Sequence, residues 1–362
     1  MQPNVFETAN AGFAQALYED YLRDPASVSP EWRRLFESGQ VGERPPVATN
    51  GASATPVTNG AGTGSTPQPV TTGAPPAGAV LIKGPALRLA QNMNESLTVP
   101  TATTFRELNV GVLDARRRDL NAALAAAGKA AKLSYTHLIA YALVQGIKAH
   151  PVMGHTLLEQ KGETFRVVPD GIFLGLAVDV ERKDGSRGLV VPVLKHAEGM
   201  DFAAFHAEYE RLVEAARTNK LMPDAFAGAT VSLTNPGGLG TSASVPRLMK
   251  GQGTIIATGA IGVPVAFAGD PKRAAELGIG KVMQMTSTYD HRIIQGAESG
   301  SFLRTVDQLL QGQNAFYENV AASLGVSIPA AITPVPAATP KAAGAPPSPP
   351  TRSSTSPRRW DW

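Results

Sequence analysis

Two long stretches dominated by Pro, Gly, Ala, Thr and Ser limit how much of this 362-residue chain can fold. They run from about residue 40 to 86 and from about 327 to 362. Such segments contain too few large apolar side chains to offset the entropy lost on ordering. We therefore predict a disordered linker over 40–86 and a disordered tail over 327–362. Between them lies one block, 87–326, that is long enough to bury a substantial core.

Apolar patterns inside that block alternate between helical and strand spacing. Residues at helical spacing predict helices over 112–126, 134–150, 201–218 and 299–310. Apolar runs bounded by turn residues predict strands over 172–180, 188–194, 230–234, 254–259, 263–268 and 281–289. Strands interrupted by a few long helices are typical of an α/β (α+β) two-layer fold, in which a sheet carries its helices on one side.

The segment 1–39 contains a short helical unit with an aromatic face. Helical spacing predicts a first helix, which ends at Asp24, and Ser29 can cap a second helix with Pro30 at its first position. The apolar positions of the two helices are Phe13, Leu17, Tyr18, Tyr21, Leu22, Trp32, Leu35 and Phe36. A unit this short cannot bury that face by itself. We expect it either to dock on a partner or to pack on the main domain.

Composition and charge exclude several classes of function. The chain has no Cys, which rules out disulfides, a thiol nucleophile and a cysteine metal site, and which fits a cytoplasmic protein. No secretory signal and no bilayer-spanning apolar run are visible, so we predict no membrane partner. The net charge is +3, and we predict no nucleic-acid partner. The one dense basic cluster, Arg116–Arg118, is interpreted as a solvated helix face, with contact to cofactor phosphates as the alternative.

Among the six histidines, His291 has the setting most typical of a catalytic base. It follows the predicted strand 281–289, and an imidazole at a strand end can face a cleft and accept a proton near neutral pH. The residues alone leave a catalytic and a structural role equally open. The remaining histidines are interpreted as packed or solvated, and their spacing gives no trusted ligand pattern, so no metal is predicted. They are His137, His150, His155, His196 and His206.

Three segments resemble the dihydrolipoamide acyltransferase family. The segment after the last predicted strand resembles its active-site signature and reads STYDHRIIQGAESG. Its second signature is similar to FAGATVSLTNPGGLGTSASVPRL, and its central strands are similar to GIFLGLAVDVERKDGSRGLVVPVLKHAEGMDF. Together the segments cover about 96–310. The resemblance implies a mixed sheet like that of chloramphenicol acetyltransferase, a homotrimer, and coenzyme A as a substrate, for which the sequence assigns no binding residue.

The resemblance also implies roles for three residues. His291 would remove the proton from the thiol of coenzyme A, or of dihydrolipoamide in reverse. Thr234 would donate a hydrogen bond to the oxyanion, whereas the residues alone favour a strand hydroxyl bonded to backbone. Position 295 carries Gln where the common signature has Asp, and Gln295 cannot form the ion pair with arginine that would fix the loop. We therefore expect an effect on loop rigidity and rate, although actinobacterial members share this Gln.

The first segment carries a second resemblance. The residues NAGFAQALYEDYLRDPASVSPEWRRLFES resemble the leading segment of the decarboxylase component of 2-oxoglutarate dehydrogenase. Joined to an acyltransferase core, this segment is characteristic of the actinobacterial multifunctional 2-oxoglutarate dehydrogenases (2-oxoglutarate decarboxylases). In that group a portion that requires thiamine diphosphate and Mg follows. That portion is absent from this sequence, and the final TRSSTSPRRWDW matches nothing in the group, so we interpret the chain as a truncated or frame-shifted product.

The two resemblances together imply transfer of a succinyl group within a 2-oxoglutarate dehydrogenase complex of the tricarboxylic acid cycle. Succinyl is preferred to acetyl because of the first segment. The sequence shows no hairpin that could carry a lipoyl group. We therefore expect a lipoyl group supplied in trans by the acyltransferase of the pyruvate dehydrogenase complex, with dihydrolipoamide dehydrogenase as a further partner. The alternatives are a non-catalytic trimeric scaffold and a fragment of the multifunctional enzyme.

Overall fold

The computed structural model describes residues 10–38, 75, 77–181 and 187–330. The chain divides into two compact units, Met1–Ile328 and Pro329–Trp362. Every described helix and strand belongs to the first unit. The greater part of the predicted linker and tail lies outside the described residues, so those two expectations stay predictions.

Nine helices are present in the described part of the chain. They are α1 (Ala11–Arg23), α2 (Pro30–Glu37), α3 (Gly84–Ser96), α4 (Gly111–Ala126), α5 (Tyr135–Ala149), α6 (Phe202–Arg217), α7 (Pro271–Glu276), α8 (Gly296–Leu310) and α9 (Phe316–Ser323). The helices predicted over 112–126, 134–150, 201–218 and 299–310 are thereby confirmed as α4, α5, α6 and α8. None of the described helices is long and apolar enough to cross a membrane.

Ten strands of the described residues form one six-stranded sheet and two hairpins. They are β1 (Thr101–Asn109), β2 (Thr156–Gln160), β3 (Glu163–Val167), β4 (Leu174–Leu176), β5 (Val178–Glu181), β6 (Arg187–Val190), β7 (Val193–Leu194), β8 (Val231–Thr234), β9 (Thr254–Thr258) and β10 (Val282–Asp290). The large sheet has the order β1-β10-β9-β8-β4-β7. Its strand β8 runs parallel to β4 and β9, whereas the other neighbours are antiparallel, so the sheet is mixed.

The helices form a layer that is centred on α5. The Ser134 hydroxyl accepts a hydrogen bond from the N–H of His137, which caps the start of α5. Leu138, Leu143 and Ile147 of this helix are buried. Helix α5 contacts α4, α6 and α8, and α8 in turn contacts β1 and β10. This arrangement confirms the predicted two-layer combination of helices and a sheet.

The aromatic segment of α1 and α2 packs on the main domain, one of the two outcomes expected for it. Phe13 stacks on Phe226 with ring centroids 5.0 Å apart. Trp32 is 2% exposed, and its Nε1 donates to the carbonyl of Leu221 at 3.0 Å. Burial of these rings supplies the apolar surface that the segment lacks by itself.

Some of the sequence-based strand predictions are wrong. The run 263–268 is not a strand, because Pro264 lacks an N–H for a ladder and the chain forms a 3-10 turn at Val265–Phe267. The runs 172–180 and 188–194 each form two strands instead of one, which belong to different sheets. The sequence did not predict strands β1, β2 and β3 or helices α7 and α9. Helix α3 begins inside the predicted linker.

Candidate active site

His291 lies directly after β10, at the end of an interior strand of the sheet. Its backbone N–H donates to the carbonyl of Pro100 at 2.9 Å. The ring Nδ1 lies 3.1 Å from the carbonyl oxygen of Ile294. A carbonyl can only accept, so Nδ1 carries the ring proton and Nε2 keeps its lone pair. Because the side chain is exposed, Nε2 is available to take a proton from a substrate.

The loop that carries His291 is held by an ion pair between a buried carboxylate and a more exposed arginine. Asp290 is 2% exposed and accepts from the Arg292 backbone N–H at 3.0 Å and from its Nη2 at 2.7 Å. The hydrogen bond to Asp290 raises the pKa of the Arg292 guanidinium. Nη1 of Arg292 reaches Glu159 of the β2–β3 hairpin at 3.2 Å. The two residues that flank His291 therefore fix its backbone.

Gln295 occupies the N-cap position of α8. Its backbone N–H donates to the Glu298 carboxylate at 2.7 Å, which satisfies one of the free donors at the start of the helix. An arginine–carboxylate pair thus exists in this loop, between Arg292 and Asp290, without a carboxylate at position 295. The expected loss of loop rigidity does not follow from these contacts.

Thr234 ends β8, where it pairs with Ala257 of β9 and is half-buried. The next residue, Asn235, donates from Nδ2 to the Thr136 hydroxyl at 2.9 Å, which links the strand end to the first turn of α5. The following glycines allow a close approach of two backbones. A Cβ at Gly237 would lie 2.2 Å from the carbonyl oxygen of Gly259, so no larger residue fits there.

Within one chain, Thr234 and His291 lie at opposite ends of the sheet. Tyr289 pairs with Thr254, and Thr254 pairs with Val231. These three residues therefore lie side by side across β10, β9 and β8. Along the strand direction, Thr234 lies three residues beyond Val231, and His291 lies two residues beyond Tyr289 in the opposite direction. At about 3.3 Å per residue and about 4.8 Å per strand, the two backbones are separated by roughly 19 Å. A single chain therefore does not bring the two predicted residues together.

Each of these two ends has its own cavity. A cavity of about 720 Å³ is lined by Leu233 and Asn235, the neighbours of Thr234, and by the cations Arg117, Lys132 and Arg217. A cavity of about 1060 Å³ lies beside the His291 loop and is lined by residues that include Glu159, Thr230, Gln252 and Arg292. Each half of the predicted site thus has space for part of a substrate.

The basic cluster on α4 is not the uniformly solvated face that was expected. Arg116 is 5% exposed and lies 3.5 Å from the carboxylate of Asp119. The Arg117 guanidinium stacks 4.3 Å above the Tyr135 ring. Arg118 alone remains largely solvated, with 69% of its side chain exposed. The three arginines therefore face three different environments, and only Arg117 reaches the cavity beside Thr234.

A mixed sheet with this helical layer, and with a histidine loop at the end of an interior strand, defines the acyltransferase class of catalytic core. The family model described as 2-oxoacid dehydrogenases acyltransferase (catalytic domain) matches residues 78–317. The chain belongs to this family. A second model, described as 2-oxoglutarate dehydrogenase N-terminus, matches residues 4–43, in agreement with the second resemblance of the sequence.

Curated relatives match most of the length of this chain. A 2-oxoglutarate dehydrogenase E1/E2 component of Corynebacterium glutamicum is 40% identical over 343 residues, which cover 88% of this chain and 28% of the relative. A multifunctional 2-oxoglutarate metabolism enzyme of Mycolicibacterium vanbaalenii is 40% identical over 359 residues, which cover 88% of this chain and 29% of the relative. The chain thus spans less than a third of the length of these relatives.

Solved structures of acyltransferase cores match the fold. The dihydrolipoamide acetyltransferase of Azotobacter vinelandii is 26% identical, with a TM-score of 0.53 over 63% of this chain and 88% of that one. It was studied for the roles in catalysis of a serine, a histidine and an asparagine four residues beyond the histidine. A core from Thermoplasma acidophilum, 22% identical with a TM-score of 0.53 over 65% and 99% of the two chains, shows the same fold.

Proposed function

We propose that this chain transfers a succinyl group between coenzyme A and dihydrolipoamide, with His291 as the general base. The observation that carries this proposal is the state of the His291 ring. Its Nδ1 donates to the Ile294 carbonyl, which leaves the Nε2 lone pair exposed on a loop held by Asp290 and Arg292. An imidazole fixed in one tautomer is suited to take up and return a proton.

The proposed reaction needs one base and one hydrogen-bond donor. Nε2 of His291 takes the proton of the attacking thiol, and the carbonyl of Ile294 stabilises the imidazolium that forms. The thiolate attacks the acyl thioester, and the Thr234 hydroxyl donates to the oxyanion, a bond typically worth about 3 kcal/mol. Collapse of the intermediate breaks the original thioester bond. The departing thiolate then recovers the proton from His291.

A site that uses both residues requires two copies of the chain. The roughly 19 Å between the two backbones exceeds the reach of the side chains. We propose a homotrimer in which the His291 end of one chain faces the Thr234 end of the next, so that three identical sites close a ring. The cubic core of a pyruvate dehydrogenase complex, 26% identical to this chain with a TM-score of 0.53, supports an oligomeric arrangement.

The cavity beside Thr234 is the proposed binding site for coenzyme A. Its three cations, Arg117, Lys132 and Arg217, suit the phosphates of that substrate. The stacking of Arg117 on Tyr135 holds one of these cations in place. This assignment agrees with the alternative interpretation of the arginine cluster as a phosphate contact.

The Azotobacter enzyme supports the assignment of the remaining residues. Its histidine and the asparagine four positions later correspond in spacing to His291 and Gln295. Both proteins thus carry an amide at the second position, and we propose that Gln295 has the role of that asparagine. Its serine supports Thr234 as the hydroxyl donor.

Succinyl specificity rests on the 2-oxoglutarate names of the curated relatives. The thiamine-dependent portion implied by the resemblance, the lipoyl-bearing and dihydrolipoamide dehydrogenase partners, and the cytoplasmic location stay predictions. So does the division of the chain into 1–39, 40–86, 87–326 and 327–362.

The test compares transfer from succinyl-CoA and acetyl-CoA to free dihydrolipoamide. We expect faster transfer from succinyl-CoA, and His291→Ala should lower the rate by about 10²–10⁴-fold. His196→Gln, a change in an exposed histidine outside the site, is the matched control and should retain full activity. Equal rates for His291→Ala and the unaltered chain would favour the scaffold alternative. Faster transfer from acetyl-CoA would overturn the succinyl assignment alone.

A further inference from the structure

Three potential metal ligands converge beside the cavity proposed for coenzyme A, at the end of the sheet opposite His291. They are His137 in the first turn of α5 and His206 and Glu210 of α6. One ligand atom of each residue lies within 4.8 Å of those of the other two. His206 and Glu210 are four residues apart on one helix, so they share a face and point toward α5.

We propose that His137, His206 and Glu210 bind a divalent cation of the zinc type. Two imidazole nitrogens and one carboxylate oxygen form a donor set that such ions accept in four-coordinate sites with one open position. The carboxylate also neutralises part of the positive charge of the ion. The succinyl transfer proposed above does not depend on this site.

The ring of His206 carries the strongest support. Its Nε2 is buried and has no hydrogen-bond partner among the described residues. The other ring nitrogen hydrogen-bonds to the backbone of Lys132, and that carbonyl fixes the ring proton on Nδ1. The lone pair of Nε2 therefore accepts no hydrogen bond, and an unsatisfied buried polar atom destabilises the fold. A ring nitrogen oriented by a backbone carbonyl through its opposite N–H is the usual state of a histidine ligand.

His137 and Glu210 are already in contact. Nε2 of His137 lies 2.7 Å from the carboxylate of Glu210, and its Nδ1 lies 3.3 Å from the N–H of Ser134. In this state the ring proton is on Nε2. Binding a cation replaces that N–H bond with an N–metal bond, and a proton moves to Nδ1, so the ring stays neutral. The long contact with Ser134 is then lost, and that exposed N–H turns to solvent.

A cation can reach this cluster from solvent. The side chain of Glu210 is 51% exposed, and His137 and Glu210 both line the cavity of about 720 Å³. The fourth coordination position therefore opens into a space that can hold a water molecule or a negatively charged ligand.

The test measures binding of zinc alone to the full chain, free of any affinity tag and treated with a chelator. Calorimetry should give one zinc ion per chain, and cobalt substitution should give the absorption of a four-coordinate site. His206→Gln and Glu210→Gln should each weaken binding by more than about tenfold, since even indirect partners of a ligand change affinity about 10–100-fold. The matched control is His196→Gln. His196 also lies near a carboxylate, 3.5 Å from Glu198, but belongs to no such cluster, so binding should be unchanged.

Absence of stoichiometric zinc binding, or equal affinity for His206→Gln and the unaltered chain, overturns the proposal. If His206→Gln fails to fold, X-ray absorption on the unaltered chain loaded with zinc decides the question. Two imidazoles and one carboxylate in the coordination sphere support the site, and any other ligand set rejects it. None of these readouts depends on transferase activity, so failure of one proposal leaves the other open.

Discussion

Because His291 and Thr234 lie at opposite ends of one sheet, two inactive chains should restore each other's activity. His291→Ala removes the base and should lower the rate by about 10²–10⁴-fold. Thr234→Ala removes the oxyanion donor and should cost about 10²–10³-fold. When trimers of the two variants are dissociated, mixed and reassembled, each variant contributes to a shared site the residue that the other lacks.

The expected recovery follows from counting sites in a ring of three. With equal amounts and random mixing, about three quarters of the trimers contain both variants. In each mixed ring, one of the three junctions joins an intact His291 to an intact Thr234. About a quarter of all sites, and hence about a quarter of the unaltered activity, should therefore return. This lies far above the residual rate of either variant.

The assay is transfer from succinyl-CoA to free dihydrolipoamide, with subunit exchange followed by native mass spectrometry. A second mixture, of unaltered chain and a chain that carries both substitutions, provides a control on the geometry. Sites shared between chains predict about a quarter of full activity in that mixture, whereas sites within one chain predict about half. Complete subunit exchange with no recovery in the first mixture would refute the shared site.

Three further outcomes are expected. Asp290→Asn removes the buried carboxylate that accepts hydrogen bonds from the Arg292 guanidinium and should cost about 2 kcal/mol in urea unfolding, with a parallel loss of activity. The pKa of His137 is lowered to about 3 by burial and by His206, so only the unfolded chain takes up a proton between pH 6.5 and 3. Stability should therefore fall with pH by about 2 kcal/mol at pH 5, and His137→Gln should flatten that profile. Trp32→Ala should cost about 3 kcal/mol in thermal unfolding, and an unchanged transition would contradict the packing of the first segment.

Local signals explain which elements could be predicted from the sequence. The cap at Ser134 and the stop at Pro151 delimit α5 without any knowledge of its neighbours. Strand β1 was missed because seven of its nine residues are polar or Ala, and its long partner, β10, is far away in sequence. The run at 263–268 was misjudged because its apolar content outweighed Pro264, which cannot donate to a ladder.

The candidate site shows the same division between local and long-range information. His291 and Thr234 could be proposed from short motifs, because each lies in a characteristic local sequence. Their separation could not be predicted, since it depends on the order and direction of β8, β9 and β10. The convergence of His137 with His206 depends in the same way on the packing of α5 against α6.

The position of Asn10 has a consequence for shortened forms of this chain. Its amide pairs with the backbone of Val191 in both directions, donating at 2.8 Å and accepting at 2.6 Å. Val191 leads into β7, one of the two edge strands of the large sheet. An amide at this position blocks a backbone that could otherwise recruit a strand from another molecule. Removal of the first segment would expose this backbone together with the ring of Phe226, and we expect the shortened form to aggregate through these two surfaces.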